Sequence, residues 1–213
     1  MCGIVGYVGN KSGVPVVLEG LAALEYRGYD SAGIAVIDRD NSAVVKEVGR
    51  VEALAKAADA EKIAGPLAIG HTRWATHGVP SFNNAHPHSN AAGTIFVVHN
   101  GIIENYAELK ARLQAAGYEF VSETDTEVIP HLIDYYTNQT PNFEAAIKAA
   151  LGDLVGTYGL AIATVSEPDK LYAARVSSPL VIGVGKHEHI LASDPTALME
   201  YTKKVIFLED YDL

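Results

Sequence analysis

Cysteine is nearly absent from this 213-residue sequence, which holds a single one at position 2. One cysteine cannot close a disulfide within the chain, so nothing indicates an oxidising compartment. No segment approaches the roughly 18 consecutive apolar residues that suggest a membrane span, and the first residues lack the basic start and apolar core of a secretory signal. We therefore expect a cytoplasmic protein without a membrane partner.

Basic residues are also few. The sequence has 16 Lys and Arg against 26 Asp and Glu, a formal net charge of −10, and its cations are not clustered. A surface that binds nucleic acid needs such a cluster, so we expect no nucleic-acid partner. The remaining composition, with 48% hydrophobic and 20% charged residues, is typical of a globular protein of one domain or two small ones.

Short apolar segments bounded by Gly, Pro, Asn or Asp indicate β-strands along the whole chain. These segments are GIVGYV, AGIAVID, PLAIGHTR, TIFVVHN, YGLAIATV, PLVIGVG, EHILASD and KKVIFLE. Helical patterns cover residues 15–25, 51–60 and 142–151. Because the helices cluster and the strands come in blocks without regular β-α-β alternation, we predict an α+β fold with largely antiparallel sheets.

A further helix is predicted after Asn105. This residue has the chemistry of an N-cap, Glu108 would reach back to it from the third helical position, and Gly117 would end the helix. The predicted apolar stripe consists of Tyr106, Leu109, Leu113 and Ala116.

A last helix is predicted to start at Thr124, with Glu127 again three residues later. Pro130 lies inside this pattern and should kink the helix, because proline lacks a backbone donor. The predicted buried face consists of Val128, Ile129, Leu132, Ile133 and Tyr136.

The single cysteine directly follows the initiator methionine. If Met1 is removed, Cys2 carries a free α-amine beside its own thiol, and that amine can act as the base that activates the thiol as a nucleophile. Gly3 leaves the backbone uncrowded where a substrate must approach. The alternative is a small buried hydrophobe at the edge of a first strand, and Cys2 alone favours that interpretation.

The segment HTRWATHG offers a binding site for an acidic group. Arg73 can grip a carboxylate through two parallel hydrogen bonds, and Thr76 and His77 add donors nearby. The alternative is an exposed strand end with its arginine in solvent. Arg, Trp, Thr and His within so short a segment favour the binding interpretation.

The segment HNGIIEN permits two interpretations. An Asn-Gly pair between apolar runs is typical of a type I′ hairpin turn. Alternatively, the Asn100 side-chain amide and the Gly101 backbone N–H both point at a developing oxyanion, as thiolate attack on an amide requires.

The segment SETDTE can either cap a helix or bind a cation. Thr124 or Asp125 serves as the cap in the first interpretation. In the second, the Asp125 carboxylate pairs with a substrate ammonium group.

Histidines concentrate in the middle of the chain and open a zinc hypothesis. They are His71, His77, His86, His88 and His99. Zinc sites usually contain cysteine ligands or an H-E-x-x-H pattern, and neither is present, so we predict no metal site.

Taken in order, six segments resemble those of one family: MCGIVGYVG, LEYRGYDSAGIAVID, HTRWATHG, HNGIIEN, SETDTEVIPHLI and SPLVIGVG. These are similar to the glutaminase domains of glutamine–fructose-6-phosphate aminotransferases, which are class II glutamine amidotransferases and N-terminal-nucleophile hydrolases. The resemblance runs from Cys2 to about Glu209, and implies a single glutaminase domain over residues 1–213. It also implies a four-layer sandwich of two mainly antiparallel sheets between helical layers.

The resemblance assigns a role to each motif residue and implies no cofactor. Cys2 would be the nucleophile, with its α-amine as base, and Asn100 and Gly101 would form the oxyanion hole. Loop, gating and supporting residues implied in the same way are Arg27, Tyr29, Trp74 and His86.

Substrate binding is implied by the same comparison of motifs. Arg73, helped by Thr76 and His77, would hold the α-carboxylate of L-glutamine, and Asp125 would hold its α-ammonium group.

Full-length members of this family continue into two sugar-isomerase domains that accept the ammonia, and they are expected to be homo-oligomers. This sequence does not extend into such domains, so we expect it to hydrolyse glutamine to glutamate and ammonia without making an amino sugar. Retention of Met1 would tie up the amine and leave the chain inactive. Three alternatives remain: a stand-alone glutaminase, an amidotransferase half with another ammonia acceptor, and a binding module that has lost catalysis.

Overall fold

A computed structural model describes residues 2–39, 41–74 and 78–213 of the chain. Its strands are β1 (Gly3–Gly9), β2 (Ser31–Asp38), β3 (Asn41–Val48), β4 (Leu67–Arg73), β5 (His88–Ser89), β6 (Ile95–Ile103), β7 (Gly156–Thr164), β8 (Tyr172–Val176), β9 (Val181–Val184), β10 (Glu188–Ala192) and β11 (Val205–Phe207). Its α-helices are α1 (Gly13–Leu24), α2 (Val51–Ala60), α3 (Tyr106–Ala115), α4 (Val128–Thr137) and α5 (Phe143–Asp153).

The strands form two sheets. The larger has the order β11-β9-β10-β1-β4-β2-β3, and the smaller has the order β5-β6-β7-β8. Neighbouring strands pair antiparallel throughout both sheets. This confirms the predicted α+β class with antiparallel sheets.

Three apolar clusters define four layers. One cluster joins α1 and α2 to the larger sheet, a second joins α3, α4 and α5 to the smaller sheet, and a third fills the space between the sheets. Successive side chains of a strand point to opposite faces, so Phe96 and Val98 enter the space between the sheets while Val97 packs under the helices. The sandwich of two sheets between helical layers is confirmed.

The helix after Asn105 differs in detail from the sequence prediction. Asn105 is the N-cap residue, but its side chain makes no capping bond to the helix. Its amide instead donates to the Asp153 carbonyl and accepts from the Val155 N–H, which ties α3 to the end of α5. Leu109 and Leu113 are buried as expected and Tyr106 is partly buried, whereas Ala116 is exposed and lies beyond the last helical residue, Ala115.

The predicted helix start at Thr124 is wrong, since α4 begins at Val128. Pro130 therefore lies in the first helical turn, where a backbone N–H has no partner inside the helix, and the reason for a kink disappears. Sequence patterns also missed β3, β5 and β8, which carry mixed or short apolar runs.

No helix in the described part of the chain is both long and apolar enough to cross a membrane.

Candidate active site

A cleft with a volume of about 310 Å³ opens where the start of β1 and the end of β4 meet β6 of the other sheet. It gathers residues that the sequence places far apart. The predicted site residues that line it are Cys2, Arg27, Arg73, Trp74, His86, Asn100, Gly101 and Asp125. Thr76 and His77, the predicted helpers of Arg73, lie outside the described residues.

Cys2 is half-buried at the entrance to β1. Because Gly3 pairs with Thr72 in β4, the cysteine lies beside the residues that follow that strand. The Trp74 backbone N–H donates to the Cys2 sulfur across 3.2 Å. Burial raises the pKa of the Cys2 thiol, and the Trp74 N–H opposes this effect because it favours the thiolate.

Asn100 and Gly101 do not form a hairpin turn, because β6 continues through both of them. They pair with Gly159 and Tyr158 of β7. The Asn100 side-chain nitrogen donates to the Cys2 carbonyl oxygen across 3.1 Å, so the amide lies directly beside the thiol residue. Because Asn100 lies within the paired part of β6, its amide donor lies next to Cys2, whereas a turn would have directed it away from Cys2.

Gly101 occupies a position that excludes any side chain. Its φ angle is 135°, and a Cβ atom there would lie 2.1 Å from the Thr157 carbonyl oxygen. Only glycine combines this backbone conformation with such a close approach of β7.

Arg73 and Asp125 place opposite charges in one cleft. The Arg73 guanidinium is buried and donates through Nη2 to the Gly78 carbonyl oxygen across 3.2 Å. Burial lowers the pKa of Arg73, while the Cys2 thiol and the carboxylates of Asp30 and Asp125 counteract it. A guanidinium and a carboxylate facing one cavity match the two charged ends of a free α-amino acid.

The capping interpretation of the SETDTE segment is wrong for Asp125, because two residues separate it from α4 and the N-cap residue is Glu127. Its buried carboxylate instead accepts a hydrogen bond of 2.8 Å from the Ile103 backbone N–H at the end of β6. The strand that carries Asn100 thus also fixes the position of Asp125.

Arg27, Tyr29 and Trp74 lie together at the rim of the cleft. Arg27 is buried, and its Nη1 donates to the Asp194 carboxylate across 3.1 Å. The half-exposed rings of Tyr29 and Trp74 meet edge to face with centroids 5.9 Å apart. Tyr29 does not line the cavity, and it adjoins the cleft through its contact with Trp74. A Cβ at Gly28 would lie 3.0 Å from the Trp74 nitrogen, so the loop packs tightly against the residue that contacts the thiol.

The central histidines are engaged in hydrogen bonds and ring contacts. His99 accepts at Nδ1 from the Thr126 hydroxyl across 2.9 Å and donates from Nε2 to the Thr157 carbonyl across 3.3 Å. His71 and His86 stack with centroids 4.1 Å apart. Among the described residues, no group of three or more His, Cys, Asp or Glu side chains is arranged to hold a metal ion.

Sequence reasoning missed several residues that line the cleft. They are His99, Ile102, Thr124, Thr126, Thr157, Ser178 and Pro179. All of them except Thr157 lie within one of the motif segments, and that position was an available signal. Thr157 had no such signal, because it reaches the cleft through the pairing of β7 with β6.

The comparison with solved structures assigns this fold to the class of glutamine amidotransferases. Over 98% of this chain and 47% of the other, the structure resembles the B. subtilis glutamine phosphoribosylpyrophosphate amidotransferase in complex with ADP and GMP, with a TM-score of 0.81 and 27% identity. A glutamine aminotransferase class-II domain protein from Silicibacter pomeroyi matches 98% of this chain and 92% of the other with a TM-score of 0.64, but at 20% identity it supports the fold alone.

The sequence comparisons narrow this class to a family. Residues 71–200 match the model of the glutamine amidotransferase domain, and the chain belongs to that family. Glutamine–fructose-6-phosphate aminotransferases are similar over nearly the whole chain: the Clostridium tetani protein is 50% identical over 99% of it, and the Thermococcus kodakarensis protein is 51% identical over 99% of it. The chain spans only 34% and 35% of the length of these two relatives. The resemblance inferred from the motifs is confirmed.

Proposed function

We propose that residues 1–213 form a glutaminase domain that hydrolyses L-glutamine to glutamate and ammonia through a thioester on Cys2. The observation that carries this proposal is the composition of the cleft. A thiol, a side-chain amide, a guanidinium and a carboxylate come from four separate segments of the chain and line one cavity. This set matches the parts of glutamine, since it provides a nucleophile for the carboxamide and opposite charges for the amino-acid end.

Recognition of glutamine rests on the two charged side chains. In the proposal Arg73 binds the α-carboxylate, with Thr76 and His77 as helpers, and Asp125 binds the α-ammonium group. The Asp125 carboxylate has one oxygen bound to the Ile103 N–H, which leaves its other oxygen available for substrate. Both side chains are buried, so their attraction for a bound ion is weakly screened by solvent.

The chemistry begins after removal of Met1. The α-amine of Cys2 takes the thiol proton, and the sulfur attacks the carboxamide carbon of glutamine. The Asn100 amide and the Gly101 N–H stabilise the oxyanion of the tetrahedral intermediate. The C–N bond then breaks as the amine returns a proton, ammonia leaves, and a γ-glutamyl thioester remains. Water attacks this thioester, which releases glutamate and restores the thiol.

The longer protein would use the ammonia. The names of the similar relatives support fructose 6-phosphate as the acceptor, with glucosamine 6-phosphate as the product. In the proposal the remaining two thirds of such a protein hold the sugar-isomerase domains.

Three residues near the cleft have further roles in this proposal. Arg27 and Tyr29 close the cleft, and Trp74 gates the passage of ammonia. The family resemblance is also the reason to propose a cytoplasmic homo-oligomer.

The test compares the wild type with Cys2→Ala. Alanine is small, so Met1 is removed equally well in both proteins, and an intact mass measurement checks this. We expect glutamate release from the wild type and none from the variant. A diazoketone that mimics glutamine should label the wild type alone. Glutamine turnover by the correctly processed variant would end the proposal.

A further inference from the structure

His71 is a buried residue of β4 whose ring faces the carboxyl-terminal half of β6. Its side chain is 1% exposed. Its Nε2 lies 3.1 Å from the His99 carbonyl oxygen and 3.0 Å from Oδ1 of Asn100. One ring atom of the larger sheet thus contacts both the backbone and a side chain of the smaller sheet.

These contacts, together with the burial of the ring, show which nitrogen of His71 carries the hydrogen. A backbone carbonyl only accepts hydrogen bonds, so Nε2 must carry the proton. Burial lowers the pKa of His71 to about 3, despite the opposing hydrogen bond to Asn100, so the ring is neutral at working pH and holds a single N–H. The Nε2–H tautomer is therefore the form present.

This tautomer requires the same orientation of the Asn100 amide as the Cys2 carbonyl does, and it holds the oxygen end of the amide. Because Nε2 of His71 is a donor, the Asn100 atom that faces it must be an acceptor, and the acceptor of an amide is its oxygen. The amide nitrogen then faces the other way, where it lies 3.1 Å from the Cys2 carbonyl oxygen. If the amide flipped by 180°, its oxygen would face the site of the developing oxyanion, and the interaction would become repulsive.

The other ring nitrogen of His71, Nδ1, indicates that the residue is not present for hydrophobic packing alone. Nδ1 is buried and has no hydrogen-bond partner among the described residues. Burying an unpaired nitrogen costs free energy, which an apolar side chain at this position would avoid. The Nε2–H is therefore the part of this side chain that makes a favourable polar contact.

We propose that His71 is a positioning residue that holds the Asn100 amide with its N–H₂ group toward Cys2. The proposal rests on the glutaminase function, because the orientation of the amide matters only if Asn100 serves the oxyanion. His71 itself touches neither substrate nor thiol. It acts through Asn100, and its contribution should appear in the rate of the chemical step more than in glutamine binding.

Two substitutions with side chains of similar size distinguish the effect of losing the N–H donor of His71 from the effect of changing its volume. In His71→Gln the side-chain amide can place an N–H near the position of Nε2, whereas His71→Leu has no donor. We expect His71→Leu to lower kcat by about 10- to 100-fold, with little change in KM. This decrease should not exceed the one that follows removal of a whole oxyanion donor. His71→Gln should recover most of that loss. His131→Leu removes another buried histidine and should leave kcat near the wild-type value, whatever it does to the melting temperature.

A double-mutant cycle with Asn100→Ala tests whether His71 acts through that residue. The His71→Leu change should have almost no further effect on kcat once Asn100 is alanine. Equal losses in both backgrounds, normal kcat in a folded His71→Leu protein, or equal losses in the Leu and Gln variants would each overturn the proposal.

Nitrogen-15 NMR can determine the tautomer of His71 in the unsubstituted protein, so this part of the test does not depend on the folding of a variant. It should show the neutral Nε2–H tautomer for His71, with a proton resonance that shifts in Asn100→Ala. A proton on Nδ1 would contradict the proposal. This measurement does not depend on turnover, so a wild type that failed to hydrolyse glutamine would refute the glutaminase function while the tautomer was still determined.

Discussion

Asn100 shows how a local signal can mislead at the scale of a single residue. Asn-Gly favours a hairpin turn when it stands between apolar runs, but here β7 pairs with β6 along nine residues and continues past both positions. Gly101 is used for its positive φ and for the close approach of Thr157. The sequence suggested both a turn and an oxyanion donor, and only the long-range pairing of β6 with β7 excludes the turn.

The first prediction concerns Asn100→Asp. The change replaces an amide donor with a negative charge beside the developing oxyanion, so kcat should fall by at least the ~10²–10³-fold that accompanies loss of one such donor. Glutamine binding should change less, because the donor acts mainly in the transition state. Steady-state kinetics measures both quantities. A stable variant with near-normal kcat would show that Asn100 has only a structural role.

The second prediction concerns the two charges of the cleft. Arg73→Ala and Asp125→Ala should each weaken glutamine binding severely, because the substrate charge left unpaired in a closed site costs several kcal/mol. Asp125→Asn removes the charge with less structural disturbance, since its amide oxygen can still accept a hydrogen bond from the Ile103 N–H. Analogues of glutamine without the carboxylate or the amine should bind poorly to the wild type, as calorimetry would measure. An analogue that binds as well as glutamine would refute the corresponding assignment.

The third prediction concerns the Cys2 thiol in protein that retains Met1. Burial raises the pKa of this thiol, and the thiolate is the form that reacts with iodoacetamide. The alkylation rate should therefore rise with pH and reach its midpoint above that of an unstructured cysteine peptide measured in parallel. Intact mass confirms both the retained methionine and the single site of labelling. A midpoint below that of the peptide would contradict the effect of burial.

At the scale of elements, the start of α4 shows which part of the predicted helix cap was correct. Glu127 was expected to reach back to Thr124, and its carboxylate does bind backbone N–H groups upstream. The groups are those of Val121 and Ser122, at 2.8 and 2.7 Å, so the chain forms a tight loop before the helix begins. The residue types predicted a bound carboxylate, but the choice of donors depends on how the loop packs against β6.

The fourth prediction uses this loop. Burial alone would raise the pKa of Glu127, but the His131 ring 3.7 Å away and the hydrogen bonds from Ser122 and the backbone of Val121 outweigh burial and lower the pKa to about 2. Because the folded pKa lies below the unfolded value of about 4.3, the stabilisation is present above that pH and is lost as the pH falls toward 2. Glu127→Gln should lower the free energy of unfolding at pH 7 by up to roughly 3 kcal/mol.

Thermal or denaturant unfolding across pH measures the effect of Glu127→Gln. The difference from the wild type should shrink between about pH 4 and pH 2, while the exposed control Glu123→Gln should change little at any pH. A difference that stays constant over this range would show that the carboxylate charge does not contribute.

At the scale of the whole molecule, the residue patterns predicted the α+β class with antiparallel sheets, whereas the order of the layers came from the resemblance of motifs. The four layers satisfy the need of each strand and helix to bury one apolar face. No local pattern shows that residues 2, 73, 100 and 125 meet. That depends on the register of β1 against β4 and on how the two sheets stack, and here only the resemblance of motifs suggested it.

The last prediction concerns what these 213 residues can do alone. Two other clefts in the described part of the chain contain Asp169, and Lys170 is the only lysine or arginine that lines either of them. Clustered cations are a common means of binding a sugar phosphate, and neither of these two clefts provides them.

With glutamine and fructose 6-phosphate supplied together, the correctly processed chain should release ammonia and glutamate in equal amounts and form no amino sugar. A longer protein that contains the remaining two thirds, assayed under identical conditions, should form the amino sugar and release less free ammonia. Chromatography of the sugar products and an enzymatic ammonia assay measure both outcomes. Amino-sugar synthesis by the 213-residue chain would place an acceptor site within it, and the division of labour between the two parts would then be wrong.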